Sequence, residues 1–578
     1  MFVKATSSRG HQYLQIVKSV RKDGKPRHEV VANLGRADIL ADSGLENMIK
    51  ALTQYVNNTS EAQPSATPKD ISTMSERDRV NYGYIAYRRV WKQFGLDQLL
   101  KSLCQDMQIS YDYAGIVESL VMNHLLAPSS KRRFFQHARR YFGLIDTLEL
   151  QHVYRCLDLL ADHKVSIERA VFERNRNMFN MSVDVIFYDL TTFHFESQRA
   201  DTLRDFGFSK AGKVNEVQVV LGLLIDRDGR PIGFELFPGN TFEGTTLVKV
   251  LQKLQKHFKL GQVVIVADKG LNCKLNLKAI KDAGFDYIIS CRLKSLAKKI
   301  QEQILSDSGY EQVALEKVFG GAEDNDTEAD EKHLFTYKLL DYTNSIRYTD
   351  EALGKTVKVA LEEKMICTYS SKRAAKDQRD RQRQIDKAQK VVDSNQQSAL
   401  NHRGYKRFIK AEADKQDQEN TQRFVRDNNK ITQAAKFDGF AVLQCSRPDT
   451  DALEALRQYR QLWRIEESFR TIKSTMKTRP IFLRTQKHIE GHFVLCFLAF
   501  LLERELEYRL KRRKIEHSPE QIKAALNSME FSVLDIENEP YYLKGKHLSL
   551  ASQIFSALRL KRPTNIMGEQ QAMEYITI

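Results

Sequence analysis

Val183-Asp184-Val185-Ile186-Phe187-Tyr188-Asp189 and Val263-Val264-Ile265-Val266-Ala267-Asp268-Lys269-Gly270 decide the fold: each is a short apolar run that closes on an aspartate. Runs this short and this rich in β-branched residues predict strands buried on both faces. Side chains alternate along a strand, so Asp189 shares a face with Phe187 and Val185, and Asp268 with Val266 and Val264. The expectation is that each strand ends at its aspartate and a loop begins there. In an open α/β sheet that carboxyl edge is where sites form. If the two strands are neighbours, their carboxylates come together. Asp184 points away from the Asp189 face and is a poor partner for it.

Outward from these runs, residues 217–225 and 231–237 read as a hairpin turned at Asp226-Arg227-Asp228-Gly229. A helix is expected over about 245–258, another near 275–283, and a strand over 285–290. The order β-β-β-α-β-α-β is that of ribonuclease-H-like nuclease cores. The fold class read from it is α/β, a mixed sheet flanked by helices, with 177–291 as the first part of the core and 437–512 as the second. Residues 292–436 interrupt the core as a largely β insertion. Its first half carries short strand candidates and an acidic patch at 323–331. Its second half opens with a charged helical run at 370–400 that includes Lys372-Arg373-Ala374-Ala375-Lys376-Asp377-Gln378-Arg379-Asp380-Arg381-Gln382-Arg383. A strand follows Asp438-Gly439, and residues 487–512 form a strong helix. Upstream, 1–56 is a small β element with a hairpin turned at Asp23-Gly24. Residues 57–75, rich in Ser, Thr, Pro and Asn, are a linker, and 76–176 show apolar spacing of helical period. The last stretch, 513–578, is mixed.

A helix beginning near Asp451 carries a third acid. Tyr459, Glu466 and Lys473 are seven apart, so in a regular α-helix each is displaced only about 20° around the axis. Trp463, Arg470 and Lys477 fall near that stripe, and Leu462, Ile465, Phe469, Ile472 and Met476 form the apolar one beside it. Glu467 rivals Glu466, but only Glu466 shares the Tyr459–Lys473 row. Three carboxylates at one sheet edge repel. At about 4 Å and an effective dielectric near 20 each pair costs about 4 kcal/mol, which protons or cations must relieve. An all-oxygen site suits Mg²⁺, and histidine or thiolate ligands that would favour zinc are absent from these runs. Two such ions serve in-line attack on a phosphodiester.

The whole chain agrees with a polyanionic partner. Among 578 residues, Lys and Arg number 90 against 74 Asp and Glu, a net charge of +16, and phosphate contacts release counterions from nucleic acid. The length allows roughly three or four domains of about 150 residues. Between two helices, Ala127-Pro128-Ser129-Ser130-Lys131-Arg132-Arg133 is a basic, hydroxyl-bearing turn at a helix start, suited to phosphates through Lys131 and Arg132; ordinary helix capping is the alternative. Seven cysteines without CxxC spacing predict reduced thiols rather than a disulfide framework or a zinc site. His488 and His492 are four apart but do not form HExxH, so packing or DNA contact is expected of them. The N-terminus shows no signal-peptide core. The apolar run 493–502 is about half the roughly twenty residues of a membrane span, so it is expected to be a buried helix in a cytoplasmic protein.

These residues carry a resemblance. The chain resembles bacterial insertion-sequence DDE transposases, of the group with a Tyr/Arg/Glu/Lys signature and an inserted domain before the glutamate. Tyr459, Glu466 and Lys473 fall on that signature; its Arg position is Leu462, so Arg464 or Arg460 would take the phosphate contact. Tyr188-Asp189-Leu190-Thr191-Thr192 is similar to the family's first aspartate strand, Asp268-Lys269-Gly270 to its second, Asp438-Gly439-Phe440 to the return to the core, and Arg479-Pro480 follows the glutamate helix. The resemblance implies a DNA transposase that binds the terminal inverted repeats of its element, cuts them by metal-assisted hydrolysis and transfers the 3′-hydroxyls to target DNA. Asp189 would bridge two Mg²⁺ ions, with Mn²⁺ able to substitute, and Asp268 and Glu466 would hold one each. Tyr459, Lys473, Trp463, Arg470, Arg464, Lys131 and Arg132 would contact DNA. A homodimer on DNA at the bacterial nucleoid is implied, with no membrane partner. The rival readings are a host ribonuclease-H-like nuclease or resolvase, and a DNA-binding protein with a dead site.

Overall fold

The chain opens with a three-stranded antiparallel sheet, β1 (Phe2–Ser8), β2 (His11–Lys22) and β3 (Lys25–Arg36). The protein's structure, a computed structural model, describes residues 2–8, 11–22, 25–37, 79–144, 148–179, 184–207, 215–258, 260–314, 334–350, 354–394, 403–413, 422–479, 481–536 and 539–577. The Asp23-Gly24 turn, the 57–75 linker and the acidic patch at 323–331 lie outside those residues. The expected hairpin pairs through Lys22 and Lys25, and β1 adds a strand that the sequence reading did not anticipate.

Strand β4 (Arg79–Asn81) leads into the helical region: α1 (Ile85–Gln93), α2 (Leu96–Leu103), α3 (Tyr113–Leu126), α4 (Lys131–His137), α5 (Leu150–Asp162) and α6 (Lys164–Phe179). Then come β5 (Val185–His194), β6 (Gln218–Asp226), β7 (Pro231–Pro238), α7 (Thr246–His257), β8 (Val264–Ala267), α8 (Lys274–Asp282) and β9 (Asp286–Ser290). The strands stand side by side in the order β7-β6-β5-β8-β9. The hairpin pairs are antiparallel, while β5–β8 and β8–β9 are parallel. An α/β unit with a large mixed sheet is therefore the architecture, and its order and strand directions are consistent with a ribonuclease-H-like core.

One expectation is corrected here. β5 does not end at Asp189 but continues to His194. Its antiparallel pairing with β6 runs from Ile186 to His194, whereas its parallel pairing with β8 stops at Tyr188 opposite Ala267. What ends at Asp189 is one neighbour, not the strand.

The stretch read as an insertion begins with α9 (Lys298–Leu305) and β10 (Glu311–Gln312). Two 16-residue strands follow, β11 (Phe335–Asp350) and β12 (Lys355–Ser370). They are longer than the short strands expected. They also extend the central sheet instead of forming one of their own: β12 pairs with β15 (Phe440–Cys445), which pairs with β9. The result is a nine-stranded sheet among the described residues. The charged run forms α10 (Ser371–Ser394). With α11 (Arg403–Lys406), β13 (Ile409–Ala413), β14 (Gln422–Arg426) and α12 (Asn428–Ala435) it encloses a small core of Ile385, Ala388, Val391, Phe408, Ile409 and Phe424.

The chain then builds α13 (Ala452–Arg460), α14 (Trp463–Arg470) and α15 (Gln486–Arg512); Asp451 caps α13, accepting from the Leu453 amide at 2.9 Å, and Thr485 caps α15, accepting from the His488 amide at 3.3 Å. Every residue of 493–502 is buried, as the sequence predicts, and among the described residues no helix is long and apolar enough to cross a membrane. Gly491 lets α15 touch α5: a Cβ there would lie 1.9 Å from the Leu157 carbonyl oxygen. The mixed tail forms α16 (Pro519–Asn527), β16 (Glu530–Ile536), β17 (Glu539–Lys544), α17 (Ser549–Ala557), β18 (Ile566–Gly568) and α18 (Glu569–Ile576). β16 pairs with β4, so the tail closes onto the helical region more than 400 residues upstream. The central sheet has two apolar faces. α7 and α8 cover the one bearing Ile186, Tyr188, Ile265 and Ala267. The other, bearing Val185, Phe187, Val266 and Ile288, packs with Ile465, Phe469 and Ile472 and with α15.

Candidate active site

The β5–β8 register decides the site. Tyr188 stands opposite Ala267, so Asp189 and Asp268 occupy the next level of two strands about 4.8 Å apart. Period-2 alternation places both on the face of Phe187 and Val266, the face that α13 and α14 cross. Asp189 Oδ1 accepts the Leu190 amide at 2.7 Å, and Asp268 Oδ1 accepts the Tyr459 hydroxyl at 3.4 Å. Burial, reinforced by the Asp268 charge, pushes the Tyr459 phenol up to about 12; a hydrogen bond with Ser290 and the charge of Arg373, in the first turn of α10, act the other way. Tyr459 thus stays a protonated donor at neutral pH. Arg292 holds the loop after β8 from outside, donating to the Lys269 carbonyl at 3.1 Å and the Gly270 carbonyl at 3.4 Å.

Lys473 reaches the same strand face. Its Nζ donates to Thr191 Oγ1 and lies 5.4 Å from the Phe193 ring centroid. Thr191 is two residues beyond Asp189, on the same side. The sequence reading missed Thr191 because it ended the strand too early; the same alternation, carried on to Phe193, would have found it. Glu466 lies between Tyr459 and Lys473 in sequence and is exposed. Glu467 is ion-paired with Arg504 of α15 at 3.6 Å, and Asp184 with Arg227 at 3.4 Å.

The straight helix expected from Asp451 onward is corrected. Between α13 and α14 the amides of Gln461, Leu462, Arg464 and Ile465 bond to carbonyls three residues back, a tight 3₁₀-like turn. After α14, Thr471–Thr475 form a π turn. Tight and wide turns change the rotation per residue, so the seven-residue stripe of a regular helix is not kept. Tyr459 and Lys473 meet β8 and β5 through the bends. Among the described residues no group of three or more His, Cys, Asp and Glu side chains stands close enough together to hold a metal ion. Asp189 and Asp268 stand level, but the three carboxylates are not gathered as the side chains lie. The donor chemistry is all oxygen, which fits a hard divalent cation.

Residues 182–502 match the family described as transposase DDE domain, and residues 3–65 match the IS1634 family transposase N-terminal domain. The first match takes in more than half of the chain and all three acids.

The chain belongs to the DDE transposases.

Two solved structures resemble the transposase weakly. A piggyBac transposase synaptic complex with hairpin DNA is 9% identical, with 86% of this chain and 85% of that chain covered, at a TM-score of 0.35. A Mos1 transposase paired-end complex with left transposon end is 11% identical, with 41% of this chain and 66% of that chain covered, at a TM-score of 0.14. No protein of curated function matches it in sequence.

Elsewhere in the transposase the expected DNA-contact residues separate. Trp463 is 46% exposed, with the Arg464 guanidinium 5.4 Å from its ring centroid, and Arg470 is exposed. The basic turn before α4 is corrected in part. Ser130 caps the helix, accepting the Arg133 amide at 3.2 Å, and Arg132 is exposed. Lys131 is buried at 8% exposure, its Nζ 3.4 Å from His492 Nδ1. Burial draws its ammonium down to about 8. Lys131 is thus packed beneath α15 and not displayed on the surface as the sequence predicts. His492 and His124, buried beside it, are both held well below the usual histidine range, chiefly by burial and then by the lysine charge. His488 instead faces Asp158 at 3.4 Å. All seven cysteines are free.

Proposed function

We propose that this transposase binds the terminal inverted repeats of its own element, cuts them by metal-assisted hydrolysis at Asp189, Asp268 and Glu466, and transfers the 3′-hydroxyl ends to target DNA. The observation that carries the reading is the register that sets Asp189 level with Asp268 on the face crossed by α13 and α14. We read the strand order around it as a ribonuclease-H-like core. Asp189, Asp268 and Glu466 would hold two Mg²⁺ ions, with Mn²⁺ able to substitute. When bound, such ions supply an activated water and charge stabilisation at the attacking and leaving oxygens.

The chain's own residues do the rest. Tyr459 keeps its proton and orients Asp268, or donates to a phosphate when that carboxylate turns to metal. Lys473, braced on Thr191, brings a cation to the scissile phosphate. Trp463, Arg464 and Arg470 offer an aromatic face and charge beside it, and Arg132 a phosphate contact further out. Work on two ends calls for a paired protomer, and nucleoid DNA in the bacterial cytoplasm is the substrate.

The test uses the full-length protein, a labelled duplex bearing the repeat boundary, a plasmid target, and Mg²⁺ or EDTA. Boundary cleavage and joining that require metal and vanish in Glu466→Gln support the proposal. Specific binding with no cleavage in Mg²⁺ or Mn²⁺ would replace it with a dead-site DNA-binding protein. Cleavage of branched or hybrid duplexes without joining would replace it with a nuclease.

A further inference from the structure

Past the π turn the chain comes beside the end of β5 and runs in the same direction. Ile481 forms a parallel bridge with Phe195, just past the end of the strand that carries Asp189. Ile481 and Leu483 are buried at 4% and 8% exposure, while Phe482 between them is 63% exposed. This alternation is that of an extended segment with one face in the core, so two anchored neighbours hold the Phe482 ring outward. Gln486 fixes the far end, accepting the Thr202 hydroxyl at 2.9 Å. Lys477, Arg479 and Arg484 in the same stretch are exposed, and none has an ion-pair partner among the described residues. Lys477 sits at φ +45°, a backbone that costs a lysine strain and keeps a cation at the bend.

The order along β5 is therefore Asp189, then Thr191 with Lys473, then Phe195 with Ile481. From Asp189 to Phe195 is six residues (195 − 189 = 6), or about 20 Å of strand. That length matches about six nucleotide steps of a DNA strand. An exposed ring on an anchored stretch of backbone, among cations with no ion-pair partner among the described residues, suits a polyanion with flat faces. A second copy of this chain would bring like charge against the same cations.

We propose that residues 477–479 and 481–484 form a DNA track leading away from the carboxylate edge, in which Lys477, Arg479 and Arg484 take phosphates and Phe482 stacks on a base about six nucleotides from the cut. The inference rests on the functional reading above. With its neighbours Ile481 and Leu483 buried, the backbone under Phe482 is already ordered, so stacking costs mainly the freedom of one side chain, and base–aromatic stacks tolerate any sequence.

The experiment compares full-length wild type, Phe482→Ala, Phe482→Trp and Arg484→Ala on a labelled boundary duplex in Ca²⁺. A fluorescent base analogue is stepped along the duplex. Phe482→Ala is expected to weaken binding by about 5- to 100-fold with an unchanged melting temperature, and Phe482→Trp to retain it. An analogue about six nucleotides from the boundary responds to wild type and not to Phe482→Ala. Arg484→Ala lowers the salt slope by about 0.9. Wild type that binds the boundary no better than a scrambled duplex overturns the functional reading. Wild type that binds the boundary specifically while Phe482→Ala matches it, or while Phe482→Ala changes self-association alone, overturns this inference only.

Discussion

Lys473 and Lys131 are both lysines that the sequence offers to DNA, and the fold treats them in opposite ways. Lys473 sits in a π turn at the open edge of the sheet, its Nζ on Thr191 two residues from Asp189. Lys131 sits in the first turn of α4, capped as a phosphate-binding helix start would be, yet its ammonium is packed under α15 against His492. Each offers a cation at a turn of helix; what differs most is whether another element covers it. A cation beside a phosphate-like cap is only a binding group when the surface above it is left open.

The largest effect that would sharpen this contrast is at the edge itself. Asp189→Asn is expected to cut boundary cleavage to below about one-thousandth, the scale on which a lost charge stabiliser acts, while a gel shift shows end-binding intact. Lost binding with an intact melting curve would place Asp189 in DNA recognition instead. Lys473→Ala comes next: removing a charge-assisted contact of about 1.5–3 kcal/mol should slow cleavage by roughly 10- to 100-fold in a single-turnover assay. A rate equal to wild type would remove Lys473 from the reacting phosphate.

Lys131 should behave as a stability residue. Its folded pKa is lowered to about 8 from 10.5, so the unfolded chain binds more protons between these values and stability rises with pH across that window. Below about pH 8 the penalty is fully present, on the order of 3 kcal/mol. Lys131→Met should therefore melt higher at pH 7, and its melting temperature should vary less between pH 8 and 10.5 than that of wild type. Its DNA-binding salt slope should not change; a slope lowered by about 0.9 would mean that Lys131 reaches phosphate after all. The smallest effect belongs to exposed Arg132: Arg132→Ala should lower that slope by about 0.9 and leave melting unchanged.

Much of the site could be read before folding. Asp268 ends an apolar run and is followed by Lys269-Gly270, so strand, edge and loop are all local signals. Asp189 was legible as an edge residue; the alternation through Thr191 and Phe193 also offered the continuation of β5, but only the pairing with β6 shows that the strand runs on to His194 after β8 has ended. The apolar spacing of Ile465, Phe469 and Ile472 marked the face of α14 correctly. It could not reveal the tight turn at 461–465 or the π turn at 471–475, which set how Tyr459 and Lys473 meet the sheet. The burial of Lys131 and the pairing of β16 with β4 were not legible at all, since both depend on contacts between segments hundreds of residues apart.

Period, propensity and charge marked the apolar runs of β5 and β8, the residues that alternate onto one face of each, and the aspartates that follow them in a basic chain. These signals act over a few residues. Long-range packing set β8 beside β5 in the register that levels Asp268 with Asp189, joined β11 and β12 to the central sheet, and buried Lys131 under α15 while leaving Lys473 half-buried beside Thr191. Those outcomes depend on which surfaces cover which, and that is fixed by packing across the whole chain.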